Sequence, residues 1–90
     1  MNTQENNKLI AEFMGIIPNE AGVYHVSEHK GYSLENLLYH TSWDWLMPVL
    51  QKCRKKNQLE YFDVVYYALE ECDINITYKA VVEFIKQLNK

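Results

Sequence analysis

Apolar and polar residues recur at helical spacing in four stretches of this chain. The first stretch predicts a helix over about residues 4–14 that stops at Gly15, because apolar side chains recur one turn apart: Leu9, Ile10, Phe13 and Met14. The last stretch predicts a helix that Asp73 or Asn75 can cap. It has the clearest amphipathic stripe in the chain, with apolar residues at steps of four and three: Ile74, Tyr78, Val81, Ile85 and Leu88.

The stretch that follows His40 begins with a helix-opening pattern. Thr41 supplies a capping hydroxyl and Asp44 supplies an acid three residues later. The predicted helix runs to about Lys56 with one apolar side: Trp43, Leu46, Met47, Leu50 and Cys53. Pro48 removes a backbone donor within it, so we expect either a bend on the solvent side, which we prefer, or a start nearer Asp44.

The stretch from Leu59 to Cys72 is rich in valine and tyrosine and could form a strand or a helix. The helical period decides, because apolar residues share one arc and acidic residues share the other, whereas odd and even positions do not alternate. The apolar arc is Phe62, Val65, Tyr66, Leu69 and Cys72, and the acidic arc is Glu60, Asp63, Glu70 and Glu71. We therefore predict a helix here.

Residues 16–39 lack a helical period and are punctuated by Pro18, Gly22 and Gly31. The composition around Val23 and Tyr24 favours extended structure, so we predict a hairpin with strands near residues 22–27 and 33–40.

Together these elements predict one α+β domain over residues 1–90, mostly helical, with four helices and a short hairpin at one end. A content of 48% apolar and 23% charged residues is sufficient for a compact core and ordinary for a folded domain. The predicted core cluster is Trp43, Leu50, Phe62, Leu69, Val81 and Ile85.

Charge and hydropathy restrict the classes of function. The net charge is −3, and residues 1–45 carry six acids and two bases whereas residues 46–90 carry six acids and seven bases. This imbalance is too weak for a mimic of nucleic acid or for a domain that neutralises many phosphates. No run of about 18 apolar residues exists and residues 1–8 are polar, so we expect a cytoplasmic protein without a membrane span.

Residues suited to metal or thiol chemistry are sparse. Cys53 and Cys72 lie nineteen positions apart, without the spacing of a disulfide framework or a zinc site, and we expect two buried thiols. His25 and His29 are four apart, but a third ligand is not evident, so we expect no metal and no cofactor. His40 could carry a proton, yet no nucleophile is near in sequence, and a structural hydrogen bond is favoured.

Seven residues are candidates for binding a partner. Four form the only basic concentration, which could contact nucleic acid or an acidic protein, or could interact with the carbonyl end of its own helix: Lys52, Arg54, Lys55 and Lys56. Tyr67 projects among acidic residues instead of joining the apolar arc, so it should be partly exposed. Trp45 and Val49 widen the apolar arc of their helix, which favours partner binding, and for Trp45 core packing is equally favoured.

Three stretches of the chain resemble small phage and prophage proteins of Bacteroidota that are related to the phage ABA-sandwich domain. These are residues 7–15 (NKLIAEFMG), residues 39–49, which include Trp-Asp-Trp-Leu-Met-Pro, and residues 78–89 (YKAVVEFIKQLN). They cover about a third of the chain. The longer relatives carry strands where this chain has residues 57–72, so the resemblance implies a trimmed domain that keeps the terminal helices. It implies no catalytic residues.

The hypothesis that follows is a non-enzymatic phage protein that binds a host protein or ribonucleoprotein. Its sharpest form is an inhibitor of a host defence system such as CRISPR-Cas, and this form rests on the resemblance and on size. The alternatives are a small nucleic-acid-binding protein, a self-associating structural protein and, least favoured, an enzyme with a pocket near His25, His29 or His40.

Overall fold

The computed structural model describes residues 3–27, 30–56 and 59–88, which form four α-helices and a two-stranded antiparallel hairpin. The helices are α1 (Thr3–Phe13), α2 (Trp43–Lys55), α3 (Leu59–Glu70) and α4 (Ile74–Leu88). The strands are β1 (Tyr24–Ser27) and β2 (Lys30–Tyr32). The predicted α+β, mostly helical class is confirmed.

Helix α4 is the centre of the fold, because it contacts each of the other three helices. Its amphipathic stripe is wide, and most of its side chains from Thr77 to Ile85 are buried. Asp73 caps it as predicted: the carboxylate oxygen Oδ1 accepts hydrogen bonds from the N–H groups of Asn75 at 2.8 Å and Ile76 at 3.1 Å. These two bonds satisfy donors that the first turn of a helix leaves unpaired.

Helix α1 ends at a glycine, as predicted. Gly15 has a φ of +79°, and the N–H of Ile16 donates to the carbonyl of Ala11 at 2.8 Å while the N–H of Gly15 donates to Glu12 at 3.0 Å. This pair of bonds is the Schellman arrangement, which needs a left-handed residue at the glycine position. The chain then turns away from α1 towards the hairpin.

The hairpin is shorter than predicted, and its second strand lies elsewhere. Strand β2 ends at Tyr32, and a 3-10 turn at Leu34–Asn36 follows where we predicted a strand over 33–40. Leu37 and Tyr39 are buried while Leu38 is exposed, so the segment alternates like a strand without pairing with one. Gly31 suits this position of β2, because a Cβ there would clash with the Val23 side chain.

Helix α2 begins without the predicted side-chain cap. The helix starts at Trp43, close to the later start that we considered. Its N-cap residue is Ser42 and not the predicted Thr41, and the Ser42 hydroxyl makes no capping hydrogen bond. The Ser42 carbonyl instead accepts from the N–H groups of Trp45 and Leu46. Pro48 lies inside the helix and is exposed, so solvent can reach the carbonyl that lacks its donor. The bend remains a prediction.

The predicted core cluster is correct in part. Leu50, Val81 and Ile85 are buried, whereas Trp43 and Leu69 are half-buried at the edge of the core. The side chain of Phe62 lies outside the described residues. Of the apolar arc predicted for α3, Val65 is buried and Leu69 packs against the core, whereas Tyr66 and Cys72 are exposed. Ala68, which was not in that arc, is also buried, so the prediction is right for two of its four described side chains. Met47 of α2 is also exposed, at the edge that faces α3.

Candidate binding surfaces

A groove of about 400 Å³ lies between α2 and α3, and we call it the α2–α3 groove. Its walls are largely apolar, with Arg54 as the charged group: Met47, Leu50, Gln51, Arg54, Tyr66 and Leu69. Residues from both helices reach it because α2 and α3 pack on α4 and only loosely on each other. The groove is therefore a concave surface with an apolar floor and a cationic side chain.

Helix α3 carries apolar side chains on its outer side as well as on its buried side. Val65 and Ala68 are buried, whereas Val64 is 60% exposed, Tyr66 is 51% exposed and Tyr67 is 66% exposed. The two exposed tyrosine rings contact each other edge to face at 6.1 Å between centroids. A helix that is apolar on both sides is normally covered on both sides, and contiguous exposed apolar surface is typical of interaction sites.

The basic cluster at the end of α2 is divided by the fold. The Nζ of Lys52 donates a hydrogen bond to the carbonyl of Phe13, the last residue of α1, and lies 5.1 Å from the centre of the Phe13 ring. The Nζ of Lys56 lies 5.7 Å from the same ring. Two of the four predicted partner-binding cations thus contact α1, and Arg54 and Lys55 remain on the exposed side.

A second concave surface of about 340 Å³, which we call the aromatic cleft, lies between the hairpin and the first half of α2. Three rings line it together with the carboxylate of Asp44 and the ring of Pro48: Tyr32, Tyr39 and Trp45. Aliphatic side chains from β1 and from the end of α1 complete its walls. Trp45 is half-buried here, so it belongs both to the edge of the core and to a surface cleft.

Val49 is fully buried in the core, so the prediction that it binds a partner is wrong. Tyr67 is exposed, as predicted, next to the groove residue Tyr66. Three further residues of these surfaces were not predicted from the sequence: Tyr32, Tyr39 and Tyr66. The exposure of Tyr66 depends on the rotation of α3, and the two other tyrosines reach Trp45 only through tertiary structure.

Asn7, which carries an amide on the apolar side of α1, holds a buried polar network together. Its Nδ2 donates to the carbonyl of Leu37 and to Nδ1 of His40, both at 3.1 Å, and its Oδ1 accepts from the Tyr78 hydroxyl at 2.8 Å. All hydrogen-bonding groups of this amide except one lone pair are used. The structural hydrogen bond that we favoured for His40 is confirmed.

The Tyr78 hydroxyl donates to Asn7, and burial raises its pKa to about 12, so it remains a donor well above neutral pH. The same oxygen lies 3.3 Å from the carbonyl of Thr3. The network therefore joins the beginning of α1, the segment before α2 and the beginning of α4.

The two cysteines have different environments, and the prediction that both are buried is wrong for Cys72. Cys53 is buried, and burial raises its pKa to about 12. Cys72 is exposed, in the turn between α3 and α4, with a φ of +56°. That left-handed conformation turns the chain after α3 and keeps residue 72 out of the core.

We expect a thiol reagent such as N-ethylmaleimide to label Cys72 in the folded protein at least about a hundredfold faster than Cys53, because only a thiolate reacts and Cys53 must first be exposed. Mass spectrometry of peptides after timed labelling measures both rates. The Cys72→Ser variant isolates Cys53, whose labelling should accelerate in denaturant. Equal rates for the two thiols without denaturant would contradict the burial of Cys53.

His25 and His29 are the histidines whose spacing could suit a metal ion. His25 is exposed, with its Nε2 3.5 Å from the Asn19 amide nitrogen, and His29 lies outside the described residues. Among the residues that the structure describes, no three histidine, cysteine or acidic side chains are grouped as metal ligands. None of the described helices has the length and hydropathy that a bilayer crossing requires.

Comparison of the chain with protein-family models, curated proteins and solved structures finds no match.

Proposed function

We propose that this protein is a non-enzymatic interaction protein that binds a partner protein through the α2–α3 groove. The observation that carries the proposal is the apolar groove between α2 and α3, continuous with the exposed tyrosines of α3. The partner presents a short segment, such as one turn or two of an amphipathic helix, with apolar side chains for the groove floor.

The charge of the groove adds a second requirement for the partner. Arg54 lines the groove and Lys55 is exposed on the same helix, and neither forms an ion pair with any residue within the described ranges. An arginine guanidinium pairs best with a planar carboxylate, which accepts two parallel hydrogen bonds from it. The bound segment therefore carries an acidic residue beside its apolar side chains.

The biological setting rests on the resemblance to phage and prophage proteins of Bacteroidota. In that setting the partner is a host protein or ribonucleoprotein, and the sharpest version of the proposal is inhibition of a defence system such as CRISPR-Cas. The groove supports binding to a protein, whereas the phage origin and the defence target are supported by the sequence resemblance and by small size.

Direct binding of nucleic acid through residues 52–56 is less favoured by the structure. Lys52 is half-buried and donates to the Phe13 carbonyl, so three exposed cations are available for phosphates: Arg54, Lys55 and Lys56. Each neutralised phosphate contributes a slope of about 0.9 to the dependence of affinity on salt, and three contacts give a slope of only about 3. Such weak salt dependence is not typical of a nucleic-acid-binding domain.

The test uses the tagged protein as bait in lysates of Bacteroidota cells that express defence systems, followed by reconstitution with the purified partner. We expect Tyr66→Ala and Arg54→Glu each to weaken binding by about tenfold or more, since both side chains line the groove. Tyr67→Ala and Lys55→Glu should weaken it less. The melting temperature should change little, because all four side chains are exposed.

Two variants on α4 serve as matched controls: Ile76→Ala removes an exposed apolar side chain, and Lys79→Glu makes the same kind of charge change as Lys55→Glu. Both should bind like the wild type. Equal affinity of Tyr66→Ala, Arg54→Glu and the controls would exclude the groove. Binding that needs RNA, and falls steeply with salt, would favour the nucleic-acid alternative instead. Restored phage plating in cells that carry the captured defence system tests the inhibitory role.

A further inference from the structure

The aromatic cleft brings together rings that lie far apart in the sequence. Tyr32 ends β2, Tyr39 lies in the segment before α2, and Trp45 lies in the first turn of α2. The centroid of the Trp45 ring is 4.9 Å from that of Tyr32 and 5.2 Å from that of Tyr39, with interplanar angles of 78° and 87°. The indole is thus nearly perpendicular to both tyrosines, and the cleft is bounded by ring systems in different orientations.

The cleft has the electrostatic character of a cation site. The face of an aromatic ring is negative and attracts cations, most strongly for tryptophan. Asp44 adds a carboxylate that is exposed at the cleft, and no lysine or arginine lines the cleft among the described residues. The charge among the lining residues is therefore negative and favours a positive ligand.

The other residues that line the cleft indicate which kind of cation fits it. They are aliphatic, with Pro48 at one side, and they offer few acceptors for the N–H groups of a primary ammonium. A fully alkylated ammonium has no N–H groups and presents methyl groups that pack on rings and aliphatic side chains. The volume of about 340 Å³ lies at the low end of the range for small-molecule sites, about 300 to 1,000 Å³, and suits a compact group.

We propose that the aromatic cleft binds a quaternary alkylammonium group, with the rings of Tyr32 and Trp45 against its methyl groups and Asp44 as its counter-ion. Tyr39 supports the indole from the buried side, since its side chain is only 2% exposed. This site is independent of the α2–α3 groove, because the two surfaces share no residue.

The test is a nuclear magnetic resonance titration with choline and with 3,3-dimethyl-1-butanol, a neutral molecule of the same shape. We expect choline to saturate the site, to shift the indole N–H resonance of Trp45 and to bind at least tenfold more tightly than the alcohol. Aromatic rings should also move the choline methyl resonance upfield. Equal affinity for the two molecules, or failure of choline to saturate, overturns the proposal.

Variants separate the roles of charge and rings. Asp44→Asn should weaken choline binding at least threefold, whereas Asp63→Asn, at an exposed acid of α3, should leave it unchanged. Tyr32→Leu keeps an apolar side chain but removes a ring, and we expect at least a tenfold loss. Melting curves confirm that each variant is folded. Wild-type affinity in Asp44→Asn and Tyr32→Leu would show that choline binds elsewhere.

Discussion

Phe84→Ala is expected to lower the free energy of unfolding by about 3 to 5 kcal/mol. Phe84 is only 2% exposed and heads the fully buried side chains by volume among the described residues, on the helix that contacts the other three. Its removal leaves a cavity that the surrounding helices fill only in part. The total stability of a chain of this size is about 5 to 13 kcal/mol, so the variant should be near the limit of folding.

Urea unfolding followed by circular dichroism measures the effect of Phe84→Ala. Ile76→Ala, at a 46% exposed position of the same helix, is the matched control and should change the free energy of unfolding by less than about 1 kcal/mol. Similar losses in the two variants would mean that the inner and outer sides of α4 are assigned wrongly.

Asn7→Ala has the second largest expected effect, a loss of about 2 to 4 kcal/mol. The substitution removes three hydrogen bonds and leaves the Leu37 carbonyl and the Tyr78 hydroxyl without this partner in a buried site, where an unsatisfied polar group costs about 1 to 3 kcal/mol. The Tyr78 hydroxyl retains the Thr3 carbonyl as an acceptor at 3.3 Å, which limits the loss.

Two variants make the Asn7 prediction specific. Asn6→Ala, one position earlier in the same helix and only half-buried, should change stability by less than about 0.5 kcal/mol. Tyr78→Phe removes only the hydroxyl and should lose about 1 to 2 kcal/mol. A double-mutant cycle between Asn7→Ala and Tyr78→Phe should show non-additive losses, because the two share one hydrogen bond. Additive losses would contradict the network.

The helices could be predicted from the sequence because each carries a local signal. Apolar spacing predicted α1 and α4, and the helical period separated helix from strand in the valine- and tyrosine-rich α3. The second strand could not be predicted in the same way. Leu37 and Tyr39 reach the core from irregular chain, so burial alternates there without the hydrogen-bond ladder that defines a strand.

The candidate surfaces were predicted less completely, since they depend on helix rotation and on contacts between distant segments. Tyr67 was predicted to be exposed because acids surround it on a helical wheel. Tyr66 was assigned to the apolar arc together with Val65, but the rotation of α3 places Ala68 inward beside Val65 and leaves Tyr66 exposed. The role of Lys52 as a donor to the end of α1 is likewise a tertiary contact across 39 positions, which spacing alone cannot show.

The central position of α4 also determines when this protein can fold in the cell. Because α4 follows the other helices in sequence, it leaves the ribosome after them, and until then α1, α2 and α3 lack the surface on which they pack. During that interval the side chains of Ile10, Leu46 and Val65, which are buried in the folded protein, are exposed. The nascent chain can aggregate through them. Folding of this domain therefore waits for α4, and ribosome-bound chains arrested before residue 74 should be sensitive to protease.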